Sequence, residues 1–221
     1  MGKLLQNILS YGFGAAMLAS SASAFADDTF DLLGQYETVE AMGSGWNLGN
    51  TLEANSNGTP SETVWGNPQA SSALMKLIKN SGFNTIRIPV SYLSKIGSAP
   101  DYKIDAAWLS RVKEVVDMAL AEDLYVITNI HGDGYHGVTG GWLLCDAQNQ
   151  TEIKAKFKAV WQQIATTFKD YDEHLIFESM NEVFDGTYEW QNPGIPYPNA
   201  GYYQNINDYN QIFVETVRPI S

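Results

Sequence analysis

His-Leu-Ile-Phe-Glu-Ser-Met-Asn-Glu, residues 174–182, is an apolar run that ends in an asparagine and a glutamate. Continuously apolar stretches of this length are the mark of a strand covered on both faces, as in a parallel sheet. Three other segments have the same character. They are Gly43–Leu52 (a glycine-framed strand with its loop), Phe83–Val90 closed by Pro89, and Leu124–Ile130. Helical patterns separate them. The first runs over Ser71–Ser81, with Leu74, Leu77 and Ile78 on one face, and Gly82 stops it. The second starts at an Asp105 cap and shows a broad apolar face from Trp108 to Leu120. The third opens at Thr151 and runs through Phe168, and the fourth spans Ile206–Val217. Strand and helix alternating in this way predict four parallel βα units.

Two α/β folds compete, a doubly wound sheet and a (β/α) barrel. Gly43-Ser44-Gly45 precedes its strand and lacks the third glycine of a dinucleotide fingerprint, and there is no phosphate-binding loop or nucleophile elbow. The polar residues instead gather just past the strands' carboxyl ends: Asn50 and Glu53, Arg87, His131 and Asp133, Asn181 and Glu182. A barrel brings all of these onto the one face where such folds keep their chemistry.

Composition narrows the partners. The 221 residues carry a net charge of −12, with 17% charged and 44% hydrophobic residues, which excludes global disorder. So acidic a chain is not a duplex nucleic-acid binder and does not suit an anionic membrane surface. The single cysteine, Cys145, excludes an internal disulfide and a cysteine-based zinc site, and is expected as a small packed side chain. Residues 1–26 have the form of an export signal: Lys3 is the only charge before Asp27, and the apolar segment ends with Ala24 and Ala26 in the small-residue pattern cut by signal peptidases. Gly12, Gly14 and several serines make that segment weak as a membrane anchor. Cleavage after Ala26 would release residues 27–221 as a secreted protein, extracellular or periplasmic, with no membrane attachment.

Glu182 at a strand end has the rigid support that a proton-donating carboxyl needs in glycoside hydrolysis, and an adjacent asparagine suits a sugar hydroxyl. Strand alternation places Glu178, Met180 and Glu182 on one face and Asn181 on the other. Glu178 is expected as a buried carboxylate paired with a cation, and Arg87, a guanidinium inside Ile-Arg-Ile-Pro, is the candidate partner. Arg87 is otherwise read as holding a catalytic carboxylate ionised. His131 opens His-Gly-Asp-Gly-Tyr-His, where a metal set of His131, Asp133 and His136 competes with substrate contact by His131. His136 and His174 are expected as loop and surface residues. Aromatic residues make up 12% of the chain, and several fall in predicted strand-to-helix loops: Trp65, Trp142, Tyr188, Trp190, Tyr197, Tyr202 and Tyr203. Sugar rings stack on such side chains, so Trp142, Trp190 and Tyr135 are assigned to substrate binding. Trp108 and Trp161 lie on helix faces and are expected in the core.

The sequence resembles glycoside hydrolase family 5, the cellulase-type endoglucanases, from about Gly43 to Val217. The resemblance rests on Gly-Trp-Asn-Leu-Gly-Asn-Thr-Leu-Glu (45–53), Trp-Gly-Asn-Pro (65–68), Gly-Phe-Asn-Thr-Ile-Arg-Ile-Pro (82–89), Asn-Ile-His (129–131) and Ile-Phe-Glu-Ser-Met-Asn-Glu (176–182), in this order. It implies a (β/α)8 TIM barrel, of which this chain covers about the first four βα units, and retaining endo-hydrolysis of β-1,4-glucan such as cellulose or mixed-linkage glucan. It implies no cofactor and no metal, and a monomeric full-length enzyme. Glu182 would be the acid/base, Asn181 the partner of the sugar 2-hydroxyl, Arg87 the support of the nucleophile, and His131, Asn50 and Glu53 substrate contacts. Many members carry a second histidine where this chain has Gly132. The family's nucleophile lies on the seventh strand, beyond the units present, so these residues alone are expected to be inactive and prone to associate through open sheet edges. A xyloglucanase or mannanase of the same family, or an inactive carbohydrate-binding fragment, are the alternatives.

Overall fold

A computed structural model describes residues 34–186 and 200–220. The export segment expected at 1–26 lies outside these residues, as do Tyr188, Trp190 and Tyr197. In chain order the elements are α1 (Gln35–Met42), β1 (Gly45–Asn47), a small hairpin of β2 (Asn55–Ser56) and β3 (Thr59–Pro60), and α2 (Ser72–Asn80). They continue with β4 (Thr85–Ile88), a 3₁₀ turn (Leu93–Lys95), α3 (Ala106–Leu120), β5 (Tyr125–Asn129), α4 (Gln150–Thr167), β6 (Leu175–Glu178) and α5 (Ala200–Val217). Strands β1, β4, β5 and β6 form one parallel sheet in that order, so the four expected βα units are present and their carboxyl ends point the same way.

The pleat divides the sheet by chemistry. Ile86, Ile88, Val126, Leu175 and Phe177 face the helices and join Val112, Val115 and Val116 of α3 and Phe157, Val160 and Trp161 of α4 in the core. Asn47, Arg87, Ile127 and Ile176 are in register across the other face, with Asn129 and Glu178 paired one step further along. Trp161 is fully buried against Phe177 and Phe213, and its indole N–H donates to the Ser179 carbonyl at 3.0 Å. That bond fixes the chain where it leaves β6. Cys145 is buried as expected, and burial pushes its thiol up to about 11.

Local signals behave as their chemistry predicts at several joints. The Asp105 carboxylate accepts the Trp108 N–H at 2.8 Å and caps α3. Gly82 follows α2 at φ +92°, a conformation that a side chain would strain. Other expectations need correction. Helix α2 buries Met75 and Ile78 and leaves Leu77 63% exposed, because the sheet sits on the flank of the Leu74–Ile78 stripe that carries Met75. Helix α5 begins at Ala200 rather than Ile206. Its early turns are too polar to show an apolar stripe, and Lys154 of α4 pairs with Asp208 and Asn205 there. Tyr202 and Tyr203 therefore lie on this helix, not in a loop.

An ion pair 49 residues apart in sequence has no sequence signature and ties the β3–α2 connection to α3. Arg111 grips Glu62 with Nε at 2.8 Å and Nη2 at 3.0 Å, and also donates to the Ala70 carbonyl. The Ala70 N–H and the Gln69 amide complete the shell around Glu62. Burial opposes the Glu62 charge, but the Arg111 and Ala70 hydrogen bonds overcome it and hold the carboxyl below the usual carboxylate range. A lowered acid pKa gives stability that is present above the unfolded-state value and is lost as pH falls through the folded one. Glu62→Gln is therefore expected to cost about 1–3 kcal/mol near neutrality, the loss of a charge-assisted pair while Arg111 keeps its bonds to Glu114 and the Ala70 carbonyl. In urea titrations its deficit relative to the parent should narrow once pH falls below the ordinary carboxylate range.

Candidate active site

The parallel ladder extends past the strands and carries the polar residues with it. Leu48 N–H donates to the Arg87 carbonyl at 2.8 Å, His131 N–H to Val90 at 2.8 Å, and Asn181 N–H to Ile130 at 2.9 Å. Residues 48, 131 and 181 are thus held by backbone bonds at the carboxyl ends of β1, β5 and β6.

Arg87 is the hub. Its Nε donates to Glu178 Oε2 at 2.7 Å and its Nη2 to Glu178 Oε1 at 2.7 Å, a two-pronged pair that reaches across β5. Nη2 also donates to Asn181 Oδ1 at 2.9 Å, and Nη1 to Asn47 Oδ1 at 3.1 Å. The Asn129 amide donates to Glu178 Oε1 at 3.0 Å. Burial works against the Glu178 charge, and the bonds from Arg87 and Asn129 outweigh it, so its carboxyl lies below the usual range. The pairing expected for Glu178 is therefore present. Asn47 and Asn129 were not singled out from the sequence. The available signal was an asparagine ending each of two apolar strands, on the same face as Arg87.

Beyond Glu178 the expected alternation fails. The strand ends there, and Glu182 has φ +47°, a left-handed conformation uncommon for a residue with a side chain. Asn181 consequently shares Arg87 with Glu178 instead of facing away from it. Its amide nitrogen lies 3.4 Å from His131 Nε2. Since Asn181 Oδ1 accepts from Arg87, its NH2 donates to that ring nitrogen, which places the histidine's proton on Nδ1. Burial and the facing Arg87 charge push the His131 imidazole down to about 4. Glu182 itself is exposed and accepts a hydrogen bond from the Tyr135 hydroxyl.

Residues 49–221 match the family model "Cellulase (glycosyl hydrolase family 5)". The chain belongs to this family. Endoglucanase A of Paenibacillus barcinonensis is 55% identical over 204 residues, covering 92% of this chain and 49% of that protein. A family 5 xyloglucanase from Paenibacillus pabuli, solved with a ligand, superposes with a TM-score of 0.78 at 62% identity, covering 83% of this chain and 49% of the other. A broad-specificity endoglucanase from Ruminococcus champanellensis with bound cellotriose gives 0.78 at 40% identity, over 87% and 55%. The chain spans about half or less of the length of the curated relatives it matches. The family fold is a (β/α)8 barrel, and the four βα units here are part of one.

The remaining candidates take varied positions. Asn50 is exposed at φ +60°, held by Glu53, whose carboxylate accepts the backbone N–H groups of Asn50 at 2.5 Å and Thr51 at 2.9 Å. Glu53 is only 7% exposed, so it shapes this loop from beneath rather than presenting a free carboxylate to a substrate. Trp142 is not an open stacking platform. It is 9% exposed, its indole N–H donates to Asp133 Oδ1 at 2.6 Å, and Lys156 covers its ring at 4.5 Å. Trp190 lies outside the described residues. Trp65 is half exposed and anchored by its N–H to the Asn55 carbonyl at 2.9 Å. The candidate metal set is dispersed. Asp133 is buried on Tyr92 and Trp142, His136 pairs with Asp146 at 2.7 Å, and His131 faces Asn181. Burial pushes the Asp133 carboxyl up to about 7 despite those hydrogen bonds. His174 stacks on Tyr125 and touches Asp172.

His131 is thus built to stay neutral well below the ordinary histidine range. In an NMR titration of the histidine rings, its resonances should stay those of a neutral imidazole, protonated on Nδ1, until pH approaches about 4. A midpoint near the ordinary 6.5 would contradict the burial and the Arg87 field.

Proposed function

We propose that this chain is the amino-terminal part of the catalytic barrel of a retaining endo-β-1,4-glucanase, with Glu182 as its acid/base. The observation that carries this reading is the joint placement of Glu182, Asn181, His131 and Arg87 at one end of the sheet, with the guanidinium fixed by Glu178. Glu182 protonates the glycosidic oxygen as the C1–O bond breaks, while a second carboxylate bonds to C1. Glu182 then takes a proton from the water that releases the sugar. The second carboxylate comes from a later strand of the complete barrel. A guanidinium has five N–H donors, and four of those of Arg87 go to Glu178, Asn181 and Asn47. The fifth, on Nη1, has no partner among the described residues, which supports a role for Arg87 in holding that nucleophile ionised. Asn181 takes the 2-hydroxyl of the reacting sugar, neutral His131 orients the Asn181 amide beside it, and Asn50 contacts the sugar beside β1.

The substrate is a β-1,4-linked glucan, as the names of the endoglucanase relatives support. Xyloglucan is the second reading, favoured by the 62% identity to the Paenibacillus pabuli xyloglucanase. Residues 1–26 direct export and are removed, and residues 27–221 belong to the secreted catalytic domain. No helix of the described residues is long and apolar enough to cross a membrane.

The test is made in a chain carrying the complete eight-unit barrel. Glu182→Gln should lower turnover of unactivated β-glucan by about 10³-fold, within the range general acids contribute. The first step on a dinitrophenyl β-cellobioside, whose leaving group needs no proton, should survive. Equal loss on both substrates would remove Glu182 from the acid/base role. Comparing kcat/KM on xyloglucan and on unbranched mixed-linkage glucan decides between the two substrate readings.

A further inference from the structure

We infer that Tyr135 is the positioning residue of Glu182, and that the loop from His131 to Asp146 is a clamp built to deliver its hydroxyl. The inference rests on Glu182 being the acid/base.

Glu182 faces an unusual mechanical problem. It lies past the end of β6, exposed, at a left-handed backbone position, and among the described residues no cation pairs with its side chain. The Tyr135 hydroxyl donates to its carboxylate. What makes this contact more than incidental is how firmly the two loops are joined on either side of it. Gly134 is pressed onto the residue that follows Glu182: a Cβ at Gly134 would lie 3.0 Å from Val183 Cγ2 and 3.1 Å from its Cα. The Tyr135 ring stacks on Phe184, with centroids 6.3 Å apart and planes at 27°. Asp146 then bridges the two loops, taking the His136 ring nitrogen at 2.7 Å on Oδ1 and the Gly186 N–H at 2.8 Å on Oδ2.

The clamp is itself anchored in the core. The Trp142 and Leu143 N–H groups donate to the Asp133 carbonyl at 2.9 and 3.0 Å, and the Asp133 carboxylate takes the Tyr92 N–H and the Trp142 indole. This gives buried Asp133 and Trp142 a purpose in place of the metal binding and sugar stacking weighed for them. They hold rigid the loop whose tip carries Tyr135.

A hydroxyl suits this position because it can serve both forms of the acid/base. It donates to the carboxylate left after the proton moves to the leaving oxygen, and its own oxygen can accept from the protonated carboxyl. Tyr135 keeps its proton throughout. The proton transferred is that of Glu182, and the bond broken is C1–O of the sugar.

The experiment uses a chain with the complete eight-unit barrel and four forms: parent, Tyr135→Phe, Glu182→Gln and the double variant. Tyr135→Phe removes only the hydroxyl and keeps the ring on Phe184. Its kcat on unactivated β-glucan should fall about tenfold or more, as expected for losing a hydrogen bond to a charged group. Its KM, and its first-step rate on dinitrophenyl β-cellobioside, should stay within about twofold, since orienting a proton donor matters only where a proton is needed. In the Glu182→Gln background the same change should cost nothing further. Phe184→Leu, which loosens the ring and leaves the hydroxyl, should give the same substrate-selective loss at smaller size. A raised KM on both substrates would make Tyr135 a substrate contact and overturn the proposal. Equal loss of kcat on both with a lowered Tm, or full activity, would overturn it as well. If Glu182→Gln shows the expected substrate dependence and Tyr135→Phe does not, only the clamp proposal falls. If Glu182→Gln itself loses both substrates equally, the acid/base reading falls and takes the clamp with it.

Discussion

A guanidinium set into an apolar parallel sheet is the constraint around which the carboxyl end of this sheet is organised. Arg87 lies between Ile86 and Ile88, both fully buried on the helix side, while its own side chain emerges on the opposite face. Taking such a charge out of water is costly unless an opposite charge and matched hydrogen bonds meet it. Glu178 supplies both with two parallel bonds, and Asn129, Asn181 and Asn47 fill the space around them. The geometry spans all four strands of the sheet, so it also fixes their register: a one-residue slip of β6 would turn Glu178 into the core. A lysine could not do this, since a point charge on a flexible stem has no fork to match a carboxylate.

Further order spreads from that pair. Because Arg87 takes the Asn181 oxygen, the asparagine amide is turned toward His131, and the histidine's tautomer follows. Because the imidazole is largely buried and also faces Arg87, the ring resists a proton. A ligand entering this end of the sheet would meet donors and acceptors whose orientation is settled beforehand, the condition under which polar groups discriminate well.

The parts of this arrangement that were legible in the sequence were those where physical necessity leaves one option. A charge within Ile-Arg-Ile-Pro has to find a carboxylate, and Glu178 was the candidate in kind. Asp105 and Gly82 mark helix ends because unpaired N–H groups and a left-handed turn call for those residue types. Periodicity failed where a second element decides which flank is covered, as with Leu77 and Met75. It failed also at Glu182, because alternation holds only while the strand lasts and β6 ends four residues earlier. Trp142 shows the limit for loops. Its position predicts a surface aromatic, but Asp133 below it and Lys156 from α4 above it close the site, and nothing local encodes either contact. Glu62 and Arg111 were invisible for the same reason. Each is an ordinary charged residue until the fold brings them together.

Glu178 and Glu182 make the sharpest comparison in the structure, since they are the same residue type four positions apart on one strand end. Glu178 is gripped by a guanidinium and an amide, so its carboxyl lies below the usual range and holds no proton to give near neutrality. Such a group is an anchor. Glu182 meets a hydroxyl instead of a cation, on a turn that carries it clear of Arg87's fork. A reaction that asks one carboxyl to give up a proton and later recover it needs a partner that tolerates both states. The left-handed turn at Glu182 is therefore more than a local irregularity. Had the strand continued with its regular alternation, Glu182 would have risen on the same face as Glu178; on the turn it still feels the Arg87 charge but makes no hydrogen bond to its fork. The break in the strand is what separates the carboxyl gripped by Arg87 from the one held by the Tyr135 hydroxyl.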